Sequence, residues 1–324
     1  MELRPGRELA LEGAVLVTVA EAEGSVPREP GAHMLVSATR LQGTVGGGHL
    51  ELRAIEIARA MLARGQQRHL ERFALGPSLG QCCGGVVQLV FEVADPSHLA
   101  LLQERRMQDT WRITNLDLQA RALVDERGRH LLGAAAPLID RSRATHVMKT
   151  PDGTRWLVDP IRAPRARLLL FGAGHVGAAL VKALADLPCS VTWIDEREDM
   201  FPAQVPDNVG VEASDTPEAL VGQAPAGASY LVMTHSHALD QRLCQAIMAR
   251  ADVGWFGLIG SRTKRKQFEH RLRERGADPA RLAAMVCPIG LPGIRSKAPA
   301  IIAASVCAQL LMVWEAHAAL QQGF

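Results

Sequence analysis

Aromatic side chains are scarce in this sequence of 324 residues: phenylalanine, tryptophan and tyrosine together make up 4%, with a single tyrosine. Its cores must therefore be aliphatic, filled by Leu, Val, Ile and Ala. Charge of one sign is not in excess either. The formal net charge is +2, and without a basic face or stripe the composition gives no indication of a nucleic-acid partner. Arginine outnumbers lysine, and arginine suits bidentate contacts to phosphate or carboxylate, but a GC-rich coding sequence gives the same bias. No export signal is visible, because residues 1–12 are charged and broken by Pro5 and Gly6, and the apolar run that follows ends at Glu21. No stretch reads as the roughly 18 to 20 apolar residues of a membrane span. The six cysteines are Cys82, Cys83, Cys189, Cys244, Cys287 and Cys307. Adjacent Cys82 and Cys83 are poor partners for each other, so no disulfide framework is evident. These absences point to a cytoplasmic protein, off the membrane.

The length suggests two domains, and 48% hydrophobic residues supply material for two cores. An N-terminal α/β domain is expected over 1–163 and a second domain over 164–324. A linker is expected at about 145–166, where Pro151, Pro160 and Pro164 cluster. In the first domain, strand patterns at 14–20, 33–37 and 41–45 precede a helix over 49–64. Leu50, Ala54, Ile57, Ala58, Met61 and Leu62 fall on one face of that helix, and Gly65 stops it. Strands are expected again at 68–75, 86–93 and within 111–132. From Arg167 onward strands alternate with helices, which predicts a doubly wound parallel sheet.

Gly172-Ala173-Gly174-His175-Val176-Gly177 fits G-x-G-x-x-G. It follows an apolar strand, opens a helix, and is followed about 20 residues on by an acid, Asp195, at the end of the next strand, which is the context a Rossmann fingerprint requires. Gly172 permits the tight turn, Gly174 lets a pyrophosphate approach the backbone, and Gly177 lets helix and strand pack closely. Unpaired N–H groups at the helix start would meet the phosphate. Asp195 would bond a ribose 2′-OH, and Arg197 leaves a 2′-phosphate open.

Gly46-Gly47-Gly48 before the first helix has two readings: a second anion-receptive turn, or a plain turn needing positive φ. Arg28, in another glycine-flanked loop, is a candidate cation beside it. Cys82-Cys83-Gly84-Gly85 lies between strands, where a thiol is either an accessible reactive group or a small buried hydrophobe. Thr234-His235-Ser236-His237-Ala238-Leu239-Asp240 follows a buried strand. Residues i and i+2 of an extended segment point the same way, so His235 and His237 could face one ligand or metal. The simpler role for Asp240 is to cap the next helix.

Together these motifs resemble the xanthine dehydrogenase accessory factors of the XdhC/CoxI family, over nearly the whole chain. The resemblance rests on Gly24-Ser25-Val26-Pro27-Arg28-Glu29-Pro30-Gly31, Gly46-Gly47-Gly48-His49-Leu50-Glu51, Gln81-Cys82-Cys83-Gly84-Gly85, the glycine fingerprint, the His-x-His segment, Gly257-Leu258-Ile259-Gly260-Ser261, and Pro288-Ile289-Gly290-Leu291 with the later Lys297-Ala298-Pro299. It implies a chaperone rather than a turnover enzyme. Such a protein binds the molybdenum cofactor (molybdopterin), keeps it ready for sulfuration and passes it to xanthine dehydrogenase in purine catabolism. A cysteine desulfurase is the implied sulfur donor, and a homodimer is the implied assembly. The implied binding set is Arg28, Gly46, Gly47, Gly48, Cys82, Cys83, Gly172, Gly174, His175, Gly177, Asp195, His235 and His237, with Cys82 or Cys83 near the molybdenum. Some related factors carry one cysteine before the paired glycines; this sequence has two. If both glycine turns act, the ligand lies between the domains. The rival reading is an NAD(P)-dependent oxidoreductase that uses Asp195 for the ribose and His235 or His237 as proton donor. A third is a zinc hydrolase built on His235, His237 and Asp240.

Overall fold

The computed structural model describes residues 13–76 and 84–321. The chain divides into two compact units, Met1–Ala163 and Pro164–Phe324.

The first unit contains two antiparallel five-stranded sheets. One has the order β3-β2-β1-β5-β4, built from β1 (Ala14–Glu23), β2 (His33–Ser37), β3 (Leu41–Gly43), β4 (Arg68–Ala74) and β5 (Val86–Val93). Helix α1 (Gly48–Arg64) covers one face. Its Leu50, Ala54, Ala58 and Met61 pack against Val15, Val17 and Val19, alternate residues of β1, as a period of two demands of one sheet face. The alternation also sends Thr18 and Ala20 to the other face. Ala20 joins Val90 and Leu157 there. The second sheet, β8-β7-β6-β10-β9, comprises β6 (Thr110–Asn115), β7 (Arg121–Asp125), β8 (His130–Gly133), β9 (His146–Lys149) and β10 (Arg155–Ile161), preceded by α2 (Pro96–Glu104).

The segment 145–166 is therefore not a linker over most of its length, because β9 and β10 occupy it. Pro151 lies between the two strands. Pro160 sits opposite Trp111 of β6, beyond Val158, the last residue paired to β9. A missing N–H breaks no ladder bond on that side. Clustered prolines read locally as a break, but tertiary pairing decides otherwise.

A buried polar network joins the two sheets of this unit. Arg112 donates to Thr18 Oγ1 at 2.8 Å, to Asp159 Oδ2 at 3.0 and 3.1 Å, and to Glu92. His33 Nε2 lies 2.8 Å from Asp159 Oδ2, and Thr145 donates to Asp159 Oδ1 at 2.8 Å. Burial pushes the carboxyls of Glu92 and Asp159 up, but Arg112 and Arg68 beside Glu92, and His33 and Arg112 beside Asp159, outweigh it and hold both below the usual range.

The second unit is a parallel sheet of order β13-β12-β11-β14-β15: β11 (Ala166–Phe171), β12 (Cys189–Asp195), β13 (Val209–Ala213), β14 (Ser229–Val232) and β15 (Trp255–Leu258). Helices α3 (His175–Ala183), α4 (Pro217–Gln223), α5 (His237–Ala249), α6 (Arg262–Glu274), α7 (Pro279–Ala284) and α8 (Pro299–Gln321) complete it, and each face of the sheet carries its own apolar cluster. β13, α4 and α7 carry too little periodicity to be read from sequence. Beyond β15, Val286 makes a single parallel bridge to Gly257. One expectation about long apolar runs is corrected. α8 is long and apolar enough over Pro299–Leu320 to cross a membrane by length and composition. In this fold its Ala303, Val306 and Leu310 are buried in the core of the unit, and Trp314 Nε1 donates to Ser229 at 3.0 Å.

Candidate functional site

The strand order reverses at β11, whose neighbours are β12 and β14. Open parallel sheets bind ligands at such a point, outside the carboxyl ends of the strands. The fingerprint lies there, between β11 and α3.

Its three glycines are needed for different reasons. Gly172 has φ +120°, and a Cβ there would lie 2.4 Å from the Met233 carbonyl oxygen; a Cβ at Gly177 would lie 2.2 Å from the Gly172 carbonyl oxygen. The fold itself demands glycine at both. Gly174 differs: its φ of −75° suits any residue, and a Cβ would meet nothing within 4 Å. A glycine that neither backbone nor packing requires leaves an open cradle. It sits at the N-cap of α3, where no side chain caps the helix, so the first amides of α3 keep their hydrogen-bonding capacity. His175 is the first residue of that helix, and its side chain is exposed.

Asp195 ends β12 with 6% of its surface exposed. Its Oδ2 accepts from the Ala173 amide at 2.7 Å and from Arg197 at 3.1 Å; its Oδ1 accepts from the Arg197 amide at 3.0 Å and Nε at 2.9 Å. Burial raises this carboxyl, but the Arg197 guanidinium and the two amides outweigh it and hold it below the usual range. A small apolar cleft opens beside it, walled by Ile194, Pro217, Leu239 and Leu243, with Thr234 and His235 at its edge.

The His-x-His segment does not act as a unit. His235 lines that cleft, whereas His237 is the first residue of α5 and its ring lies 6.3 Å from that of Phe268. The described residues contain no group of three or more metal-ligating side chains, so the zinc-hydrolase constellation of His235, His237 and Asp240 does not assemble. The helix cap is also corrected. Ser236 caps α5 by accepting from the Leu239 amide. Asp240 instead accepts from the Thr234 amide and hydroxyl at 3.2 and 2.7 Å and from Lys264 Nζ at 2.6 Å. With 1% of its surface exposed, it braces the loop that presents His235. Sequence reasoning missed Lys264; the signal was the acid five residues after His235 with a lysine after the next strand.

The triple-glycine turn is built differently. Gly46, Gly47 and Gly48 have φ of +129°, +73° and +61°, so the backbone alone demands glycine. A Cβ at Gly46 would lie 2.5 Å from Pro27 and 3.6 Å from Arg28, which places the Arg28 loop against the turn. The amides of Val45, Gly46 and Gly47 are already engaged. Glu51 Oε2 accepts from Val45 at 3.2 Å, from Gly47 at 3.1 Å and from the Thr44 hydroxyl, while the Gly46 amide donates to Thr44 at 3.1 Å. Arg28 donates to Glu29 at 2.9 Å. The turn does receive an anion, and that anion is the chain's own Glu51.

Cys82 and Cys83 lie outside the described residues. Burial pushes the thiols of Cys244, Cys287 and Cys307 upward, away from the reactive thiolate form.

Two family models match this architecture: the XdhC Rossmann domain over residues 168–310, and the XdhC and CoxI family over residues 10–74. The chain belongs to the XdhC/CoxI family. Its relatives include a probable xanthine dehydrogenase subunit from Bacillus subtilis, 25% identical over 329 residues and covering 93% of each chain. The uncharacterized protein YqeB of Escherichia coli is 29% identical over 154 residues, which are 47% of this chain and 28% of that relative. This XdhC-family chain thus spans under a third of YqeB. A crystal structure of a xanthine dehydrogenase from Bacillus halodurans superposes with a TM-score of 0.72 at 19% identity, over 95% of this chain and 93% of that one. That match establishes a shared fold.

Proposed function

We propose that this XdhC-family chain is an accessory protein of xanthine dehydrogenase that holds the molybdenum cofactor through its phosphate and delivers it to the apo-enzyme in the cytoplasm. The observation that carries the reading is the cradle at Gly174, open above an uncapped helix start. A phosphate needs several N–H donors and a positive helix end, and the start of α3 supplies both. The triple-glycine turn is the weaker candidate because Glu51 already takes its Val45 and Gly47 amides. Of the two expected anion turns, the phosphate is therefore assigned to Gly174, His175, Val176 and Gly177. Cys82 or Cys83 belongs to the same reading as a soft neighbour of the metal. A cysteine desulfurase as sulfur donor and a homodimeric assembly complete it. A carrier must release its cargo, so the chain's task is to tether one end and leave the other available, without turnover of its own.

The test is to express the protein where molybdopterin is made, oxidise the purified material and read pterin fluorescence. Aspartate is a favourable N-cap, so Gly174→Asp should keep the fold while placing a negative charge where the phosphate belongs. Wild type should carry pterin and activate apo-dehydrogenase, and Gly174→Asp should do neither. Equal pterin content in both proteins would overturn the assignment. Steady nicotinamide turnover with a small substrate would favour the oxidoreductase instead.

A further inference from the structure

We propose that the exposed basic stripe of α6, with the groove beside it, is a docking surface for an acidic segment of a partner protein. The inference rests on the proposed function only for the partner it names, the apo-dehydrogenase.

The sequence concentrates charge here. Residues 262–275 hold seven lysines and arginines against Glu269 and Glu274, a net +5, while the whole chain carries +2. The rest of the chain is therefore net acidic at −3, and a block of opposite sign directs association rather than folding. The fold explains some of these cations. Lys264 donates to Asp240 at 2.6 Å and to the Ile259 carbonyl at 2.9 Å, Arg265 to Glu269 at 2.6 Å and to the Cys287 carbonyl at 3.3 Å, and Arg275 to Gln245 at 2.6 Å. Arg262, Lys266, Arg271 and Arg273 are exposed and have no hydrogen-bond or ion-pair partner among the described residues. Arg262, Lys266 and Arg273, at i, i+4 and i+11, share one stripe of the helix. Only Phe268 and Leu272 of α6 are buried, so packing asks nothing of that stripe. Arg262 opens the helix just after the Ser261 cap, and no acid stands in the first turn. A cation there opposes the helix dipole, so helix stability does not account for it.

The stripe borders an open groove of about 520 Å³, with Arg262, Arg265 and Lys266 on one side and Ala283, Ala284 and residues 285–288 on the other. Val286 turns its backbone inward: its amide donates to the Phe256 carbonyl and its carbonyl accepts from the Leu258 amide, both at 2.9 Å. The groove thus runs along the rim of the sheet. Small residues on one side leave room for an extended chain, and its carboxylates can reach the cations on the other. Nucleic acid fits less well. No aromatic side chain lines the groove for a base to stack on, Glu269 stands within it, and the net acidic remainder of the chain repels a polyanion that runs past the patch. A second copy pairing through this face about a two-fold axis would set basic stripe against basic stripe. An acidic protein segment meets none of these objections.

The test reverses the stripe with Arg262→Glu and Lys266→Glu together. Acids near a helix start are favourable, so this variant should melt at or above wild type. Arg72→Glu with Arg127→Glu makes the same change of net charge at exposed positions of the first unit and serves as control. The probes are a labelled peptide of alternating Glu and Gly, its Gln counterpart, and a DNA duplex of equal charge, read by fluorescence anisotropy. Wild type should bind the Glu peptide and not the Gln peptide, and the stripe variant should bind it at least about tenfold more weakly. Raising salt from about 50 to about 200 mM should weaken the wild-type complex, and the control should match wild type. Immobilised full-length protein should capture apo-dehydrogenase, with association at least about tenfold slower for the stripe variant and with the Glu peptide competing. Equal weakening by both reversals would reduce the effect to net charge and overturn the surface. Tighter binding of the duplex than of the Glu peptide overturns the protein partner, and undiminished capture of apo-dehydrogenase by the stripe variant overturns the partner named. Both variants leave the α3 turn intact, so their pterin content should equal that of wild type; a wild type without pterin counts against the cradle and not against this surface.

Discussion

At the start of α1, the amides of Val45 and Gly47 close on the carboxylate of Glu51; at the start of α3, the space beside Gly174 is left to solvent and no side chain caps the helix. Both turns are glycine-rich, both lead from a strand into a helix, and both are suited to an anion by the same backbone physics. The first already holds an anion on its Val45 and Gly47 amides, although α1, like α3, has no side-chain cap. The second is complete only in its packing, through Gly172 and Gly177. A glycine motif thus marks a place where the chain comes close to something, and the contacts decide whether that something is the protein itself.

The same contrast runs through the two units. Between the sheets of the first unit, beside the apolar contact of Ala20, Val90 and Leu157, the polar groups turn to one another: Arg112, Glu92, Asp159, His33, Thr18 and Thr145 bond in a buried cluster. Breaking it should produce the largest effect. Arg112→Leu removes the guanidinium that the buried Glu92 and Asp159 carboxylates share, a change worth about 3–5 kcal/mol. Melting followed by circular dichroism at pH 7 should show a fall of about 10 °C in the transition of the first unit. The sign with pH follows from the depressed carboxyls. In wild type their contribution is present above the unfolded values near 4 and is lost as pH falls through the lower folded values. In the variant the unpaired acids gain by taking up protons, so the gap between the two proteins should narrow from pH 7 toward pH 4. A gap that widens on acidification would show that the network is not held by charge.

Much of the second unit was legible in the sequence, because the fingerprint, its flanking strand and Asp195 are local signals whose spacing carries their geometry. β11, α3 and β12 follow from hydrophobic runs punctuated by glycine. The first unit was less legible. Its strands at 146–149 and 155–161 were hidden by Pro151 and Pro160, since a proline's local preference says nothing about whether a neighbouring strand needs its N–H. The network joining His33 to Asp159 spans residues far apart in sequence, so no window contains it. The role of Glu51 was within reach, as an acid in the first turn of α1 four residues beyond the N-cap. It was read as part of a motif rather than as a competitor for the amides it follows.

A smaller effect tests whether Glu51 is integral to its turn or a removable plug. Glu51→Ala orphans the Val45 and Gly47 amides and should cost about 1–3 kcal/mol, read as a lower denaturant midpoint with an unchanged slope. The informative arm adds inorganic phosphate. If the variant regains its midpoint in millimolar phosphate while wild type is indifferent, the emptied turn accepts a foreign anion, and the difference between the two glycine turns comes down to one side chain. If phosphate does nothing, the turn is shaped around Glu51 and the contrast with α3 is one of backbone as well.

The smallest effect on stability belongs to Gly174, and it carries the most information about function. Gly174→Ser places a hydroxyl at the N-cap of α3, where it can accept from the free amides of the first turn and contribute about 0.5–1 kcal/mol. No atom lies within 4 Å of the added Cβ and φ is already −75°, so nothing opposes the gain. The variant should melt at or slightly above wild type, yet lose the phosphate-bearing ligand, because the serine oxygen takes the first-turn amides that the phosphate needs. Gly177→Ala is the matching control: its Cβ meets the Gly172 carbonyl oxygen at 2.2 Å, so it should lose stability along with binding. A Gly174→Ser protein that is stable and retains its full ligand load would mean the cradle is not used. The two turns would then differ in how they are capped and not in what they bind.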